Sequence, residues 1–245
     1  MPKAKLMHLA GKHRTKEADT ELGVMLAFIA GAVNAGGFLA VGAYTSHMTG
    51  VVSSIADYIA TNAYQSAAFA FSYLCAFVAG AGISAFIINF ARARHYHSEF
   101  ALALMLEAVL LLIFGICADN LTSDFITVHI IIMILCLLMG LQNAIITKIS
   151  HSEIRTTHVT GIATDIGIEI GRHLFARTHR HIDVRVHPER LRFYVSIISA
   201  FAMGGIVGAL SFNFFGFTAT IPLALVLAFM ALFPILEDLR GTPRT

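Results

Sequence analysis

The chain alternates between long apolar stretches and shorter polar ones. Six apolar stretches approach or exceed the roughly 20 residues that a helix needs to cross the hydrocarbon layer of a bilayer; they lie at residues 22–44, 67–90, 100–118, 125–147, 193–214 and 217–236. Their apolar residues are continuous rather than alternating, which indicates helices and not the strands of a membrane barrel. The pattern predicts an all-α, polytopic membrane protein with six transmembrane helices.

The composition supports this class. Hydrophobic residues make up 57% of the 245 residues and charged residues 13%, with a mean hydropathy of +0.74, which leaves too little polar surface to cover a soluble domain of this size. Cys75, Cys117 and Cys136 lie inside the apolar stretches without paired spacing, so neither disulfides nor a thiolate metal site is indicated. The first 21 residues are too polar for a cleaved signal, so the first apolar stretch is expected to be retained.

The basic residues predict the orientation in the membrane. All 17 Lys and Arg residues precede span one, follow span two, lie between spans four and five, or follow span six. The other connections, at 45–66, 119–124 and 215–216, contain none. Because cytoplasmic loops carry the excess of Lys and Arg, both termini are expected in the cytoplasm.

A polar motif occurs twice, each time after an apolar stretch. At a constant shift of 111, residues 45–55 match residues 156–166: Thr45, His47, Thr49, Gly50 and Ile55 correspond to Thr156, His158, Thr160, Gly161 and Ile166. Apolar composition alone would not produce a repeat that carries polar chemistry. We call residues 45–55 motif one and residues 156–166 motif two.

A second match joins spans two and five. At a shift of 124, seven residues of span two recur in span five, including Gly80 as Gly204 and Asn89 as Asn213. Small residues at four-residue spacing in both spans are typical of closely packed membrane helices, although small residues are also common in such helices generally. Because each half has three spans, the repeat would be inverted, as in many secondary transporters. The predicted units are a cytoplasmic segment (1–21), a first repeat (22–118), a second repeat (119–236, with a basic connection at 172–192) and a cytoplasmic tail (237–245).

Each motif is predicted to start a short helix, capped by Thr49 or Thr160, whose hydroxyl would accept a free backbone N–H. Gly50 and Gly161 would allow close approach of a backbone or a ligand. If both helices are re-entrant, their N-termini would meet near the midplane and suit an anionic or carbonyl-bearing solute. The alternative is that both segments are surface loops in which Thr-Gly forms turns.

Other polar residues extend this candidate site. His47 and His158 could bind solute or carry a proton, or be structural donors; Asn34, Gln142 and Asn143 could contact solute or hold helices together. Glu107 lies deep in span three and is the candidate for proton coupling, with His129 or a motif histidine as partner, unless it is a neutral structural group. Asp165 is a further candidate, with Glu169 on the same helical face, or both are solvated.

These motifs resemble those of a known family. The segment at 45–50, the sequence Gly-Leu-Gln-Asn-Ala at 140–144 and the segment at 157–161 are similar to the YoaK-like bacterial inner-membrane proteins, a family of unknown function, over residues 20–236. The resemblance implies a small six-span permease without naming a substrate. Asn34 stands where the family often has Asp, and Val51 where it often has Asn. Asn34 cannot carry a proton, which puts coupling at that position in doubt.

The favoured function is transport of a small polar or anionic solute, with no cofactor or metal and no catalytic activity. The alternatives are an intramembrane metal enzyme using His47, His129, His158 and Glu107, and a structural or regulatory membrane subunit. The expected partners are the solute and the lipid bilayer, with a homodimer possible. Nucleic acid is not expected, because acidic residues interrupt the basic connection and no aromatic platform accompanies it; its histidines also lack the usual metal-ligand spacing.

Overall fold

A computed structural model describes residues 16–96, 98–118, 124–149, 159–178 and 187–239. Within these ranges all regular structure is helical, which confirms the all-α prediction. The helices are α1 (Lys16–Val41), α2 (Met48–Ala60), α3 (Tyr64–Ala93), α4 (Ala101–Cys117), α5 (Phe125–Ile149), α6 (Val159–Thr178), α7 (Pro188–Phe215) and α8 (Thr220–Leu239), with a 3₁₀ turn at Gly216–Ala219.

Six of these helices correspond to the six apolar stretches, and most extend beyond them. By length and composition, four stretches of the described chain could cross a membrane: Asp19–Leu39, Tyr64–Ala93, Phe125–Lys148 and the 52-residue Pro188–Leu239. The last includes both α7 and α8. They are separated at Gly216, where φ is +57°, a conformation that glycine adopts without the steric cost of a side chain. α4 is apolar but has only 17 residues.

The six helices that correspond to the apolar stretches pack mainly as three pairs: α1 with α7, α3 with α5, and α4 with α8. Each pair takes one helix from residues 22–118 and one from residues 119–236, so the two halves of the chain are interleaved. The shorter α2 lies on α3, and α6 lies on α7. One buried apolar core includes residues of α1, α4, α5 and α8.

Glycines set the distance between α1 and α7. A methyl group added to Gly31 would overlap the carbonyl group of Phe201, and one added to Gly204 would overlap the carbonyl group of Phe28. The two helix backbones are therefore in direct contact at these points. In lipid no hydrophobic force drives helices together, so dispersion contacts between close backbones supply much of the attraction.

The α3–α5 pair has the same construction. A methyl group on Gly80 would overlap the carbonyl group of Leu137, and one on Gly140 would overlap that of Phe77. A numbering shift of 109 takes Gly31 and Phe28 of α1 onto Gly140 and Leu137 of α5. The shift of 124 found in the sequence takes Gly80 and Phe77 onto Gly204 and Phe201. All four contacts thus belong to one pattern that occurs twice.

This construction predicts which glycines tolerate a methyl group. Gly80→Ala and Gly204→Ala should each destabilise the protein by about 1–3 kcal/mol, the usual cost of overpacking, because carbonyl groups cannot move aside as flexible side chains do. Gly82→Ala and Gly205→Ala are matched controls, since a methyl group meets nothing within 4 Å at the first and only an ordinary 3.6 Å contact at the second. Thermal unfolding in detergent would measure the difference. Equal unfolding temperatures for all four variants would contradict the backbone contacts.

Candidate functional site

A cavity of about 880 Å³ lies among the central helices and is reached by both motifs. It is lined from α1, α3, α5 and α7, from the loop before α2, and from the first turns of α2 and α6. The lining residues are Asn34, Tyr44, Ser46, His47, Met48, Thr49, Phe77, Ala81, Asn143, Ala144, Thr147, Lys148, Val159, Thr160 and Phe201.

Several of these residues are equivalent positions of the two halves. Asn34 and Asn143 are related by the shift of 109, and Phe77 and Phe201 by the shift of 124. Thr49 and Thr160 are related by the motif shift of 111. The structure therefore brings together residues that lie more than 100 positions apart in the chain, and it does so in matching sets. Phe77 and Phe201 are also the residues whose carbonyl groups contact Gly140 and Gly31, so the cavity borders both glycine crossings.

Asn34 holds the loop that precedes α2. Its Oδ1 accepts hydrogen bonds from the backbone N–H of Ser46, at 3.1 Å, and from the Ser46 hydroxyl, at 2.9 Å. The chain leaves α1 through Gly42, where φ is +72°, and these two bonds then fix the segment that leads into motif one. The buried amide of Asn34 is thus partly a structural group, and it also borders the cavity.

The predicted cap of α2 was wrong by two residues. The helix begins at Met48, and the residue before it is His47, which makes no side-chain capping bond. Thr49 is instead exposed inside the first turn and lines the cavity. The His47 ring lies directly over Gly50, where a side-chain carbon would overlap it. Gly50 therefore provides space for the neighbouring histidine rather than for another helix.

The predicted cap of α6, in motif two, was also wrong. α6 begins at Val159, so Thr160 lies inside the helix and is not its N-cap. The side chain of Thr160 is exposed and lines the cavity, and Gly161 follows it in the same turn. His158, the counterpart of His47, lies outside the described residues.

Gln142 and Asn143 are both buried in α5, but only Asn143 borders the cavity. Gln142 donates from Nε2 to the carbonyl oxygen of Leu26 at 3.2 Å, which links α5 to α1. Its Oε1 is buried and has no hydrogen bond among the described residues. Asn143 donates from Nδ2 to the carbonyl oxygen of Met139 at 3.0 Å. Gln142 is therefore positioned as an interhelical contact, whereas Asn143 faces the candidate site.

Glu107 does not line the cavity. It is 1% exposed in α4, and its Oε2 has no hydrogen bond within the described part of the chain. Glu107 does not pair with His129, which the sequence suggested as its partner. The Nδ1 of His129 instead pairs with the Tyr73 hydroxyl, and its ring stacks on Phe69 with the ring centroids 3.7 Å apart. A buried carboxyl oxygen without a hydrogen bond is costly.

Asp165 and Glu169 share a face of α6 but differ in their burial and in their contacts. Asp165 is half-buried and is not in the cavity lining. Glu169 is buried: its Oε1 accepts from Arg172 at 2.7 Å, and its Oε2 accepts from the backbone N–H of His187 at 3.2 Å. Glu169 therefore connects α6 to the residue that precedes α7. The His187 N–H and the Arg172 guanidinium hold the pKa of Glu169 below its usual range.

Sequence reasoning missed several residues of the cavity. Lys148 was counted only as part of a cytoplasmic basic segment, although it follows Asn143 closely in the same helix. Phe77 and Phe201 matched at the shift of 124, but apolar matches carry little information in a membrane protein. Across the described ranges, no group of three His, Cys, Asp or Glu residues is placed to hold a metal ion.

The relatives of the chain can now be compared with this geometry. A family model described as a protein of unknown function (DUF1275) matches residues 22–233. The chain belongs to this family. A curated relative, the UPF0700 transmembrane protein YoaK of Bacillus subtilis (strain 168), is 26% identical over 208 residues, which are 84% of this chain and 90% of that protein. No solved structure matches the chain.

Membership confirms the resemblance in the motifs, and the transmembrane relative together with the apolar helices makes the chain a helical membrane protein. The family's name brings no substrate or activity. The Oδ1 of Asn34 only accepts hydrogen bonds, and a carboxylate oxygen accepts equally well, so the geometry at this position would also suit an Asp.

The bonds of Asn34 predict opposite outcomes for two substitutions. Asn34→Asp should leave the Ser46 amide protected from hydrogen exchange, whereas Asn34→Leu should speed its exchange roughly 5- to 100-fold, because losing an acceptor in a buried site costs about 1–3 kcal/mol. Mass spectrometry of peptides that cover residues 42–47 would measure this. Faster exchange in the Asp variant would contradict the acceptor role.

The connection made by Glu169 predicts a pH-dependent stability. A carboxyl group whose folded pKa is lowered stabilises the protein above its unfolded pKa, near 4.3, and loses that contribution as the pH falls through the folded value. Glu169→Gln should therefore lower the unfolding temperature at pH 7, and the difference from the parent protein should shrink as the pH falls below the unfolded pKa and vanish below the folded one. Glu189→Gln, at an exposed site in the first turn of α7, is the control and should have little effect. A difference that persists at low pH would contradict this connection.

Proposed function

We propose that this protein is a carrier for a small polar or anionic solute, not an enzyme, and that its solute site is the cavity between the two motifs. One observation carries the proposal: a single cavity is lined by equivalent residues from both halves of the chain. Secondary transporters built from inverted repeats place their solute sites at the interface of the repeats, where both halves contribute.

The proposed architecture has six spans in two inverted three-helix repeats. Three relations support it: α1 pairs with α7 as α5 pairs with α3, the glycine crossings correspond at shifts of 109 and 124, and α2 and α6 follow α1 and α5 in the same way. The distribution of Lys and Arg supports cytoplasmic termini in a bacterial inner membrane. In this topology α2 and α6 would be re-entrant from opposite faces, and Glu107 is the proposed proton-coupling group.

The chemistry of the lining supports a polar solute. Asn34, Asn143, Thr49 and Thr160 offer amide and hydroxyl groups that both donate and accept hydrogen bonds. Apolar walls come from other lining residues, namely Phe77, Phe201 and Met48. Pockets for small molecules commonly combine apolar walls with a few polar groups that fix the orientation of the ligand.

Flux through liposomes would test the carrier function. The solute is first sought by thermal shift with small carboxylates, phosphates, neutral amides and sugars, because a ligand raises the unfolding temperature of the state that it binds. Uptake of any solute that stabilises the protein should then fall about tenfold or more in the double variant Thr49→Leu, Thr160→Leu, since two hydrogen-bonding groups are each worth about 0.5–1.5 kcal/mol.

Thr61→Leu is the matched control, because Thr61 is exposed at the end of α2 and outside the cavity lining. It should retain full uptake. Undiminished uptake in the double variant removes the site assignment. Uptake no faster than in protein-free liposomes for every solute in the panel contradicts the carrier function itself.

A further inference from the structure

We propose that Lys148 makes the cavity selective for anions, so that the solute carries a negatively charged group. This inference takes from the proposed function only the idea that the cavity holds a solute. The charge of the cavity can be tested without any flux.

The part of the lining that the structure describes carries one permanent charge. Among the described residues that line the cavity, Lys148 is the only Lys or Arg, and there is no Asp or Glu. His47 is the only imidazole in that described lining. Lys148 is half-buried in the last turn of α5, and its ammonium group makes no ion pair with a described acidic residue; the described ion pairs are Arg92 with Glu99 and Arg172 with Glu169.

The Lys148 ammonium group lies in a partly enclosed cavity and pairs with no described acidic residue, so it is expected to attract anions. The attraction between unit charges grows as the effective dielectric constant falls from that of bulk water. Lys acts as a compact point charge with three donors, which suits a carboxylate or a phosphate. Asn143 and Thr147 lie beside Lys148 at the same end of α5 and border the same cavity, so neutral donors and acceptors surround the charge.

Among the described lining residues, the charge comes from the second half of the chain only. At the numbering shift of 109 that relates Asn34 to Asn143, Lys148 corresponds to Leu39. Leu39 is exposed and does not line the cavity. The amide, hydroxyl and aromatic pairs are duplicated in the two halves, whereas the cation is not. The cavity is thus built to take one negatively charged group, with the paired residues binding the rest of the solute.

Two thiol reagents of opposite charge can measure the electrostatic potential in the cavity near Lys148. In a variant without the native cysteines, Ala144→Cys places a thiol in the lining one helical turn before Lys148, where side chains are about 5–6 Å apart. The rates of modification by anionic sulfonatoethyl and cationic trimethylammonioethyl methanethiosulfonate are then compared. Their ratio cancels any change in the reactivity of the thiol. Thr61→Cys, exposed outside the cavity, gives the reference ratio.

In the protein that keeps Lys148, the anionic reagent should be favoured at the Ala144→Cys thiol relative to the Thr61→Cys thiol. Lys148→Met should change each rate by about threefold in opposite directions, from Coulomb's law over about 6 Å at a water-like dielectric constant, so the ratio should fall about ninefold. Lys148→Arg should retain it. If the Met variant does not fold, raising the salt concentration from about 0.02 M to about 1 M should lower the ratio in the parent protein, because the Debye length shrinks.

Three results would overturn the proposal: equal ratios at the two thiols, a ratio unaffected by both Lys148→Met and salt, or no reaction of the Ala144→Cys thiol with either reagent. These outcomes are distinct from failure of the carrier function. A charge effect without flux of any solute would leave an anion site in a protein that is not a carrier. Flux without a charge effect would leave a carrier whose solute is not selected by Lys148.

Discussion

The contact between helix backbones at glycine residues is the constraint on which the rest of the structure depends. Gly31 and Gly204 bring α1 against α7, and Gly80 and Gly140 bring α3 against α5. In lipid such close approach replaces the hydrophobic force that would hold helices together in water. Because each pair joins one helix from each half of the chain, these contacts also fix how the halves interleave. The cavity lies beside both crossings, and its size and shape follow from them.

The polar chemistry of the protein is concentrated where the packing leaves space. The Asn34–Ser46 bonds fix the entry to motif one, and α6 brings Thr160 to the same cavity. Apolar helices alone would need no such group of amides, hydroxyls and one ammonium group. The amides of Asn34 and Asn143 are buried, and burying an amide is costly without a partner or a solute. The same reasoning applies to Glu107, which does not line the cavity and whose Oε2 has no hydrogen bond among the described residues. Glu107 is the group that we propose for proton coupling.

Much of the fold could be predicted from the sequence because hydrophobic length is a strong signal in membrane proteins. The six apolar stretches agree with six helices, although several helices extend beyond the stretches, as α1 does to Lys16 and α3 does to Ala93. The motif repeat predicted two additional helices, and both form. Their first residues could not be predicted, since His47 occupies the position before α2 without capping it, and a Thr-Gly pair signals a cap only statistically.

The candidate site was predictable in part. Repetition identified Thr49, Thr160 and the amides near them, because polar matches in register are rare in apolar sequence. Lys148 could not be found in this way, since the corresponding residue Leu39 is not basic and Lys148 resembles any basic residue at the end of an apolar stretch. The separation of Gln142 from Asn143 likewise depends on which way neighbouring side chains of α5 point, which spacing alone did not resolve.

The distance between the two motifs tests the central claim most directly. Pulsed electron paramagnetic resonance between spin labels would give that distance. The labels are attached at Thr49→Cys and Thr160→Cys, in a variant that lacks Cys75, Cys117 and Cys136 and is reconstituted in lipid. A shared cavity predicts a distribution centred well below the roughly 30 Å thickness of the hydrocarbon layer. A distribution centred at or above about 30 Å would place the motifs at opposite surfaces of the membrane and contradict a common site.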